Sequence, residues 1–281
     1  MTIYAVVPVH NRIELTLQFL DSLDAQQIDE AVKVVIIDDG STDGTAQTLQ
    51  QRNGRFPITV LPGNGSLWWA GSIKKAITFL LPQVQPQDFL YLANNDTILD
   101  SQHLAFLLQT ASKHPRSLVG SCSQEMWSDE SVHSVPGGFR IDVSNLSVAS
   151  IDEACSAEND HYDALAGRGL LIPASALPAI RLHPRLMPQP FADLAFTHGL
   201  IGAGYALLVD RRASSMQLDR AGSAVEHSHQ PRPSFDKKSS LYVPALVAFW
   251  WFVSVPRQRP GLLVKIARRA RQVSTQTDAT I

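Results

Sequence analysis

The segment Val34-Val35-Ile36-Ile37-Asp38-Asp39-Gly40-Ser41-Thr42-Asp43-Gly44-Thr45 constrains the fold of this chain more than any other, because a β-branched apolar run stops there at two carboxylates and a glycine turn. A short run without polar alternation suits a parallel strand buried on both faces. Charge at its carboxyl end is informative too, since open α/β sheets bind ligands outside the carboxyl ends of their strands. Ser41, Thr42 or Asp43 is the expected N-cap of a following helix.

The same unit opens the chain. Residues 3–7 read as a first strand stopped by Pro8, and Asn11 with Glu14 three residues on has the form of a capping box for a helix carrying Ile13, Leu17 and Leu20 on one face. Residues 58–61 form a third strand, leading into a glycine-rich segment with Trp68 and Trp69 and then an apolar helix through Ile73, Ile77 and Leu80. Residues 89–93 are a fourth strand, ending in Asn94-Asn95-Asp96. A chain of 281 residues can bury one large α/β core with a smaller appendage.

Composition excludes several classes. A formal net charge of -2, with both signs scattered, leaves no electrostatic footprint for nucleic acid. Cys122 and Cys155 are the only cysteines, so no disulfide framework or thiolate zinc site is expected, and the N-terminus has no basic region ahead of an apolar core. The expected location is the cytoplasm. Pro8-Val9-His10-Asn11 stands where a dinucleotide-binding dehydrogenase or a sugar-nucleotide nucleotidyltransferase would carry a glycine-rich phosphate loop after its first strand, which argues against both.

Taken in order and spacing, these pieces resemble the inverting glycosyltransferases of family 2, and among them the bacterial rhamnosyltransferase-like branch. The matching residues are Val7-Pro8-Val9-His10-Asn11-Arg12, the Asp-Asp-Gly-Ser-x-Asp-Gly-Thr turn, Gly63-Asn64-Gly65 with Trp68-Trp69, and Asn94-Asn95-Asp96 in the place of the family's DxD motif. Gly167-Arg168-Gly169 and Phe191-Ala192-Asp193 follow the pattern of the family's later motifs. The resemblance implies an α/β GT-A fold: a mainly parallel central sheet flanked by helices, over residues 1–230, with a C-terminal helical segment in 231–281. Residues 1–115 would bind the nucleotide sugar and 116–230 the acceptor. The implied reaction is inverting transfer of a hexosyl group, with rhamnosyl as one option, from a dTDP- or UDP-sugar to a glycan or lipid-linked acceptor in bacterial surface polysaccharide synthesis.

The resemblance also distributes roles. Asp38 or Asp39 would accept hydrogen bonds from the nucleobase or ribose, with Pro8, His10 and Arg12 lining the same pocket. Trp68 would stack on a base or sugar and Gly65 would allow close backbone approach. Asp96 would ligate Mg²⁺ or Mn²⁺, flanked by Asn94 and Asn95, with His227 as a further candidate ligand; a hard cation of this kind takes carboxylate oxygen and completes its shell with water and phosphate. Asp193 would be the general base and Arg168 a phosphate contact. Two positions depart from the family pattern: Ala195 stands where an acidic residue is common and Gly199 where an arginine is common. A degenerate, non-catalytic nucleotide-sugar-binding or scaffold protein is therefore the competing reading.

Residues 241–255 are almost wholly apolar, but about fifteen residues fall short of the ~20 needed to span a bilayer. Arg257, Arg259, Lys265, Arg268, Arg269 and Arg271 follow directly. Two readings suit this pattern: a segment lying on an anionic membrane surface, or a helix packed on the domain with solvated basic residues.

Overall fold

The computed structural model describes residues 1–126, 131–135, 137–151, 162–218, 235–237, 239 and 242–266. In chain order the elements are β1 (Thr2–Val9), α1 (Ile13–Asp24), β2 (Ala31–Asp38), α2 (Thr45–Gln51), β3 (Ile58–Pro62), α3 (Trp68–Leu80), β4 (Phe89–Leu92), β5 (Thr97–Leu99), α4 (His103–Lys113) and β6 (Ser117–Met126). They continue with β7 (Val132–Val135), β8 (Gly138–Asp142), β9 (Ser147–Ser150), β10 (Ala164–Leu165), β11 (Leu170–Pro173), α5 (Ala192–Ile201), β12 (Ala206–Gln217) and α6 (Val243–Val253). The main sheet runs β3-β2-β1-β4-β11-β6-β12-β5, with β7 on β6, and a small sheet runs β10-β8-β9.

The first four strands of that order are mutually parallel, and β12 is parallel to β6. β11 enters antiparallel between β4 and β6, so the sheet is mixed. Alternation along each strand splits the core in two. Ile3, Ala5, Val7, Val34 and Ile36 meet Phe19, Leu20 and Leu23 of α1 and Leu104 and Leu107 of α4 on one face. Tyr4, Val6, Val35 and Ile37 meet Ile73, Ile77 and Leu80 of α3 and Phe196 and Leu200 of α5 on the other. Both faces being covered explains why β2 reads as an unbroken apolar run.

Three local expectations give way to tertiary contacts. β1 runs through Pro8, which lies opposite Ile37. β1's pairing with β4 ends at Val6, opposite Leu92, so the N–H that Pro8 lacks falls where no ladder bond is due. α1 has no capping box: its N-cap is Arg12, in the left-handed region, and Asn11 instead accepts from the Thr42 N–H at 2.9 Å across the neighbouring loop. α2 is capped at Gly44 (φ 84°), while Asp43 accepts from the N–H of Thr45 at 3.1 Å and from that of Ile13 at 3.0 Å, serving two helix starts. α5 continues through Gly199 and ends at Gly202.

α6 packs against α5 and the start of α3. Ala245, Phe249, Trp250 and Val253 are buried, and Phe249 stacks on Phe191 at 4.9 Å, ahead of α5. The opposite edge, with Trp251 and Phe252, is exposed, as are Val255, Leu263 and Val264. No helix of the described residues is long and apolar enough to cross a membrane.

Candidate active site

The order β3-β2-β1-β4 places a topological switch between β1 and β4: successive connections lead away from β1 on one side through β2 and β3, and then return to its other side. Such a switch opens a crevice at the carboxyl ends of the strands. The ends of β1, β2 and β4 carry His10 to Arg12, Asp38 to Asp43 and Asn94 to Asp96.

The loops after β1 and β2 are tied together. The Asn11 N–H donates to Ser41 Oγ at 2.7 Å, and the His10 ring donates from Nδ1 to the Asp39 carbonyl at 2.8 Å, which fixes an exposed imidazole over the crevice. Asn11 (φ 57°) and Arg12 (φ 63°) are consecutive left-handed residues, a conformation that costs energy outside glycine and is held by its surroundings. Arg12 Nη1 then lies 3.8 Å from Asp96 Oδ2.

The two adjacent aspartates separate in role. Asp39 accepts at Oδ1 from the N–H groups of Gly65 (2.8 Å) and Asn64 (3.2 Å), and at Oδ2 from the N–H of Trp68 (3.0 Å). It therefore caps the start of α3 and folds the glycine-rich loop over itself; a Cβ at Gly63 would come within 2.5 Å of its Oδ1. Asp38 accepts from the Ser41 N–H at 2.9 Å through Oδ1. Trp68 (φ 57°) joins this loop through its backbone, and its half-buried side chain lines a groove beside the crevice. Trp69 packs inward on Phe196, ring centroids 6.4 Å apart.

Asn95 is buried and donates to Thr16 Oγ1 of α1 at 2.9 Å, anchoring the Asn94-Asn95-Asp96 turn. Asn94 is half-buried, and its carbonyl accepts from Thr97 Oγ1. Asp96 is buried.

Asp193 sits in the first turn of α5, which follows a left-handed Phe191. Its Oδ2 accepts from the Gly167 N–H at 2.9 Å. A Cβ at Gly167 would collide with Trp69 and crowd Asp193, so only glycine fits between them. The next residue, Arg168, donates to Gln217 Oε1 at 2.8 Å and lies 3.6 Å from Glu125. Gln217 is paired in register with Thr97, the neighbour of Asp96. One short chain of contacts thus connects Asp193 to Asp96, although they are almost a hundred residues apart. Burial pushes the Asp193 carboxyl above the ordinary carboxylate range, opposed by the N–H groups of Gly167 and Leu194 and the charge of Arg168.

Glu125 and Gln217, both buried, hold Arg168 and escape any reading of the sequence, since each lies on a strand without a motif and acquires its partner only through pairing. His227 lies outside the described residues, as do Cys155, Arg268, Arg269 and Arg271. Among the described residues no group of three or more His, Cys, Asp or Glu side chains is arranged to hold a metal ion. The donor set at the end of β4 is thus a single carboxylate, which fits a hard cation only where water and substrate phosphate supply the remaining oxygens.

Residues 4–132 match the family model Glycosyl transferase family 2. A sequence search of the curated proteins finds no match. Among solved structures, GalNAc-T7 with UDP, GalNAc and Mn²⁺ superposes with a TM-score of 0.64 at 13% identity, over 78% of this chain and 44% of that one. S. aureus TarS 1–349 superposes at 0.57 with 16% identity, over 77% of this chain and 60% of that one, and the same fragment with UDP at 0.57 with 17% identity. The chain spans less than two thirds of each of these solved chains. The fold is the GT-A fold, and with a glycosyltransferase family 2 match over just under half of the chain it supports a role in glycosyl transfer.

Proposed function

We propose that this protein is an inverting, metal-assisted hexosyltransferase that takes its sugar from a dTDP- or UDP-sugar, rhamnosyl included, and delivers it to a glycan or lipid-linked acceptor of a bacterial surface polysaccharide. The observation that carries this reading is the pair of carboxylates, Asp96 and Asp193, joined through Gly167, Arg168 and Gln217. The same crevice holds a base binder and charge for a diphosphate.

Asp38 accepts hydrogen bonds from the nucleobase or ribose, beside the His10 ring and Pro8. Arg12 faces the diphosphate, and Arg168, held by Glu125 and Gln217, adds a second positive charge. Gly65 brings backbone close to the donor and Trp68 bounds it. Asp96 would hold a divalent cation, with Asn94 and Asn95 shaping the turn and His227 a further candidate; bound there, the cation supplies Lewis-acid neutralisation of the leaving diphosphate. Asp193 accepts the proton of the acceptor hydroxyl as its oxygen bonds to C1 of the sugar. The C1–O bond to the phosphate breaks on the opposite face and its electron pair leaves with the nucleotide diphosphate, so the anomeric centre inverts. The raised affinity of Asp193 for a proton suits this step. In this reading residues 1–115 serve the donor and 116–230 the acceptor, with the outer edge of α6 resting on the cytoplasmic face of the membrane.

A panel of nucleotide sugars offered with crude glycolipid acceptor provides the test, with nucleotide diphosphate release and the anomeric configuration of the product as readouts. Inverting transfer from one donor, lowered at least ~100-fold in Asp193→Asn with nucleotide affinity within a few-fold, is the expected result. Product of retained configuration, or near-normal turnover in the variant, would overturn it. Binding of nucleotide diphosphate without turnover on any donor would favour the non-catalytic alternative.

A further inference from the structure

A groove of about 640 Å³ lies outside the crevice, along the exposed flank of α3. Its floor is apolar, with Leu61, Leu67, Trp68 and Phe79. Its basic residues are Lys74 and Lys75 of α3, Arg185 from the proline-rich segment before α5, and Lys237, and no acidic side chain is among the described residues that line it. Lys75 Nζ donates to the Pro62 carbonyl at 2.6 Å, and with Lys74, Arg185 and Lys237 gathered around the same apolar floor the surface is best neutralised by an anion. Burial, and then the charge of Lys74, hold the nearby His183 imidazole below its ordinary pKa.

Position narrows the occupant. Trp68 lines the groove with its side chain, while its backbone N–H is held by Asp39 at the donor crevice. At the other side, His183 stacks on Phe252 at 4.3 Å, so the basic rim adjoins the exposed aromatic edge of α6. A small inorganic anion would leave the apolar floor bare, and a neutral glycan would leave the cations unpaired. We infer that this groove takes the phosphate head and first apolar carbons of an amphiphilic lipid phosphate, seating a lipid-linked acceptor next to the donor crevice. The inference rests on the proposed transfer to a lipid-linked acceptor and specifies where that acceptor's anchor binds. The head would pair with Lys74 and Arg185, and the first carbons would lie over the apolar floor of Leu61, Leu67 and Phe79.

Calorimetry with decyl phosphate below its micellar concentration tests the groove without any turnover. Binding should be at least tenfold tighter than for inorganic phosphate or for decyl maltoside. Lys74→Gln combined with Arg185→Gln, both exposed positions, should weaken it at least tenfold with the thermal midpoint unchanged, whereas Lys113→Gln with Arg140→Gln, basic residues away from the lining, should leave it intact. Equal binding by the first pair and the parent, equal affinity for inorganic phosphate, or competition with nucleotide diphosphate would each overturn the inference. Nucleotide diphosphate binding measured on the same samples separates the two ideas. If it persists while decyl phosphate fails to bind, the groove assignment falls alone. If it is absent while decyl phosphate binds and is lost in the first pair, the groove assignment stands and the transferase reading falls.

Discussion

Asp38 and Asp39 are chemically identical neighbours whose surroundings divide them. Asp39 satisfies three backbone N–H groups, and hydrogen bonds to a charged acceptor are worth roughly 1.5–3 kcal/mol each, with a further penalty for donors left buried. Asp39→Ala should therefore lower unfolding stability by at least about 2 kcal/mol in urea titration, whereas Asp38→Asn should leave the urea midpoint nearly unchanged and weaken nucleotide binding in calorimetry. The reverse pattern would transfer the base-binding role to Asp39. Asp193 carries a pH signature as well. Its folded-state proton affinity exceeds the unfolded one, so its contribution to stability is present at low pH and lost as pH rises through the raised value. The stability of the parent relative to Asp193→Asn should decline as pH rises above the ordinary carboxylate value, and a flat difference would contradict the raised affinity.

At the level of elements, buried polar ties set the angles between strands and helices. His103 at the start of α4 donates from Nδ1 to the Ser214 carbonyl of β12 at 2.7 Å and accepts at Nε2 from the Tyr91 hydroxyl of β4 at 3.0 Å, so one neutral ring joins three elements. Burial pushes its pKa down to about 4. A depressed value means the unfolded chain binds the proton first, so stability is full above the ordinary value near 6.5 and is lost as pH falls toward 4. At ~1.4 kcal/mol per pKa unit the loss is at most on the order of 3 kcal/mol. Urea midpoints should fall steeply between pH 6.5 and 4 in the parent and more gently in His103→Gln. Identical slopes would show that His103 titrates normally. α5 illustrates the opposite case: Gly199 lies inside the helix with nothing beyond its own helix backbone and chain neighbours within 4 Å of where a Cβ would stand, and neighbouring turns carry the helix past it.

For the whole molecule, the sheet makes one body of the two halves: β11, from the second half, lies between β4 and β6. In the C-terminal region α6 buries one side and exposes an aromatic edge on the other. Leu262 and Ile266 are buried against the same core, so trimming the chain after residue 256 would open that core. Point changes on the outer edge are the cleaner probe. Trp251, which carries Arg259 over its ring at 4.9 Å, and Leu263 are exposed. Trp251→Gln with Leu263→Gln should reduce co-sedimentation with anionic vesicles at least threefold while the thermal midpoint stays within a few degrees. Unchanged sedimentation would remove the membrane contact from the proposed function.

The strands and turns of residues 3–96 were legible in the sequence because a strand covered on both faces must be apolar throughout and must end where polar groups can reach water, and β2 and β4 both do so. The helix through Ile73, Ile77 and Leu80 was legible for the same reason, its apolar positions recurring at helical spacing. Caps were not. Asn11 turned from its own helix to the loop after β2, and Asp43 reached back to Ile13, because the choice between a local and a distant N–H depends on how closely two loops approach. The second half was least legible: its strands are short or paired antiparallel, and Glu125 and Gln217 acquire meaning only when β6 and β12 bring them to Arg168. Sequence by itself determined which residue types stand at the strand ends. Tertiary structure decided which carboxylate is spent on backbone, which stays beside the crevice, and that Asp193 meets Gly167, since hydrogen-bond partners across long stretches of chain exist only once the sheet has closed.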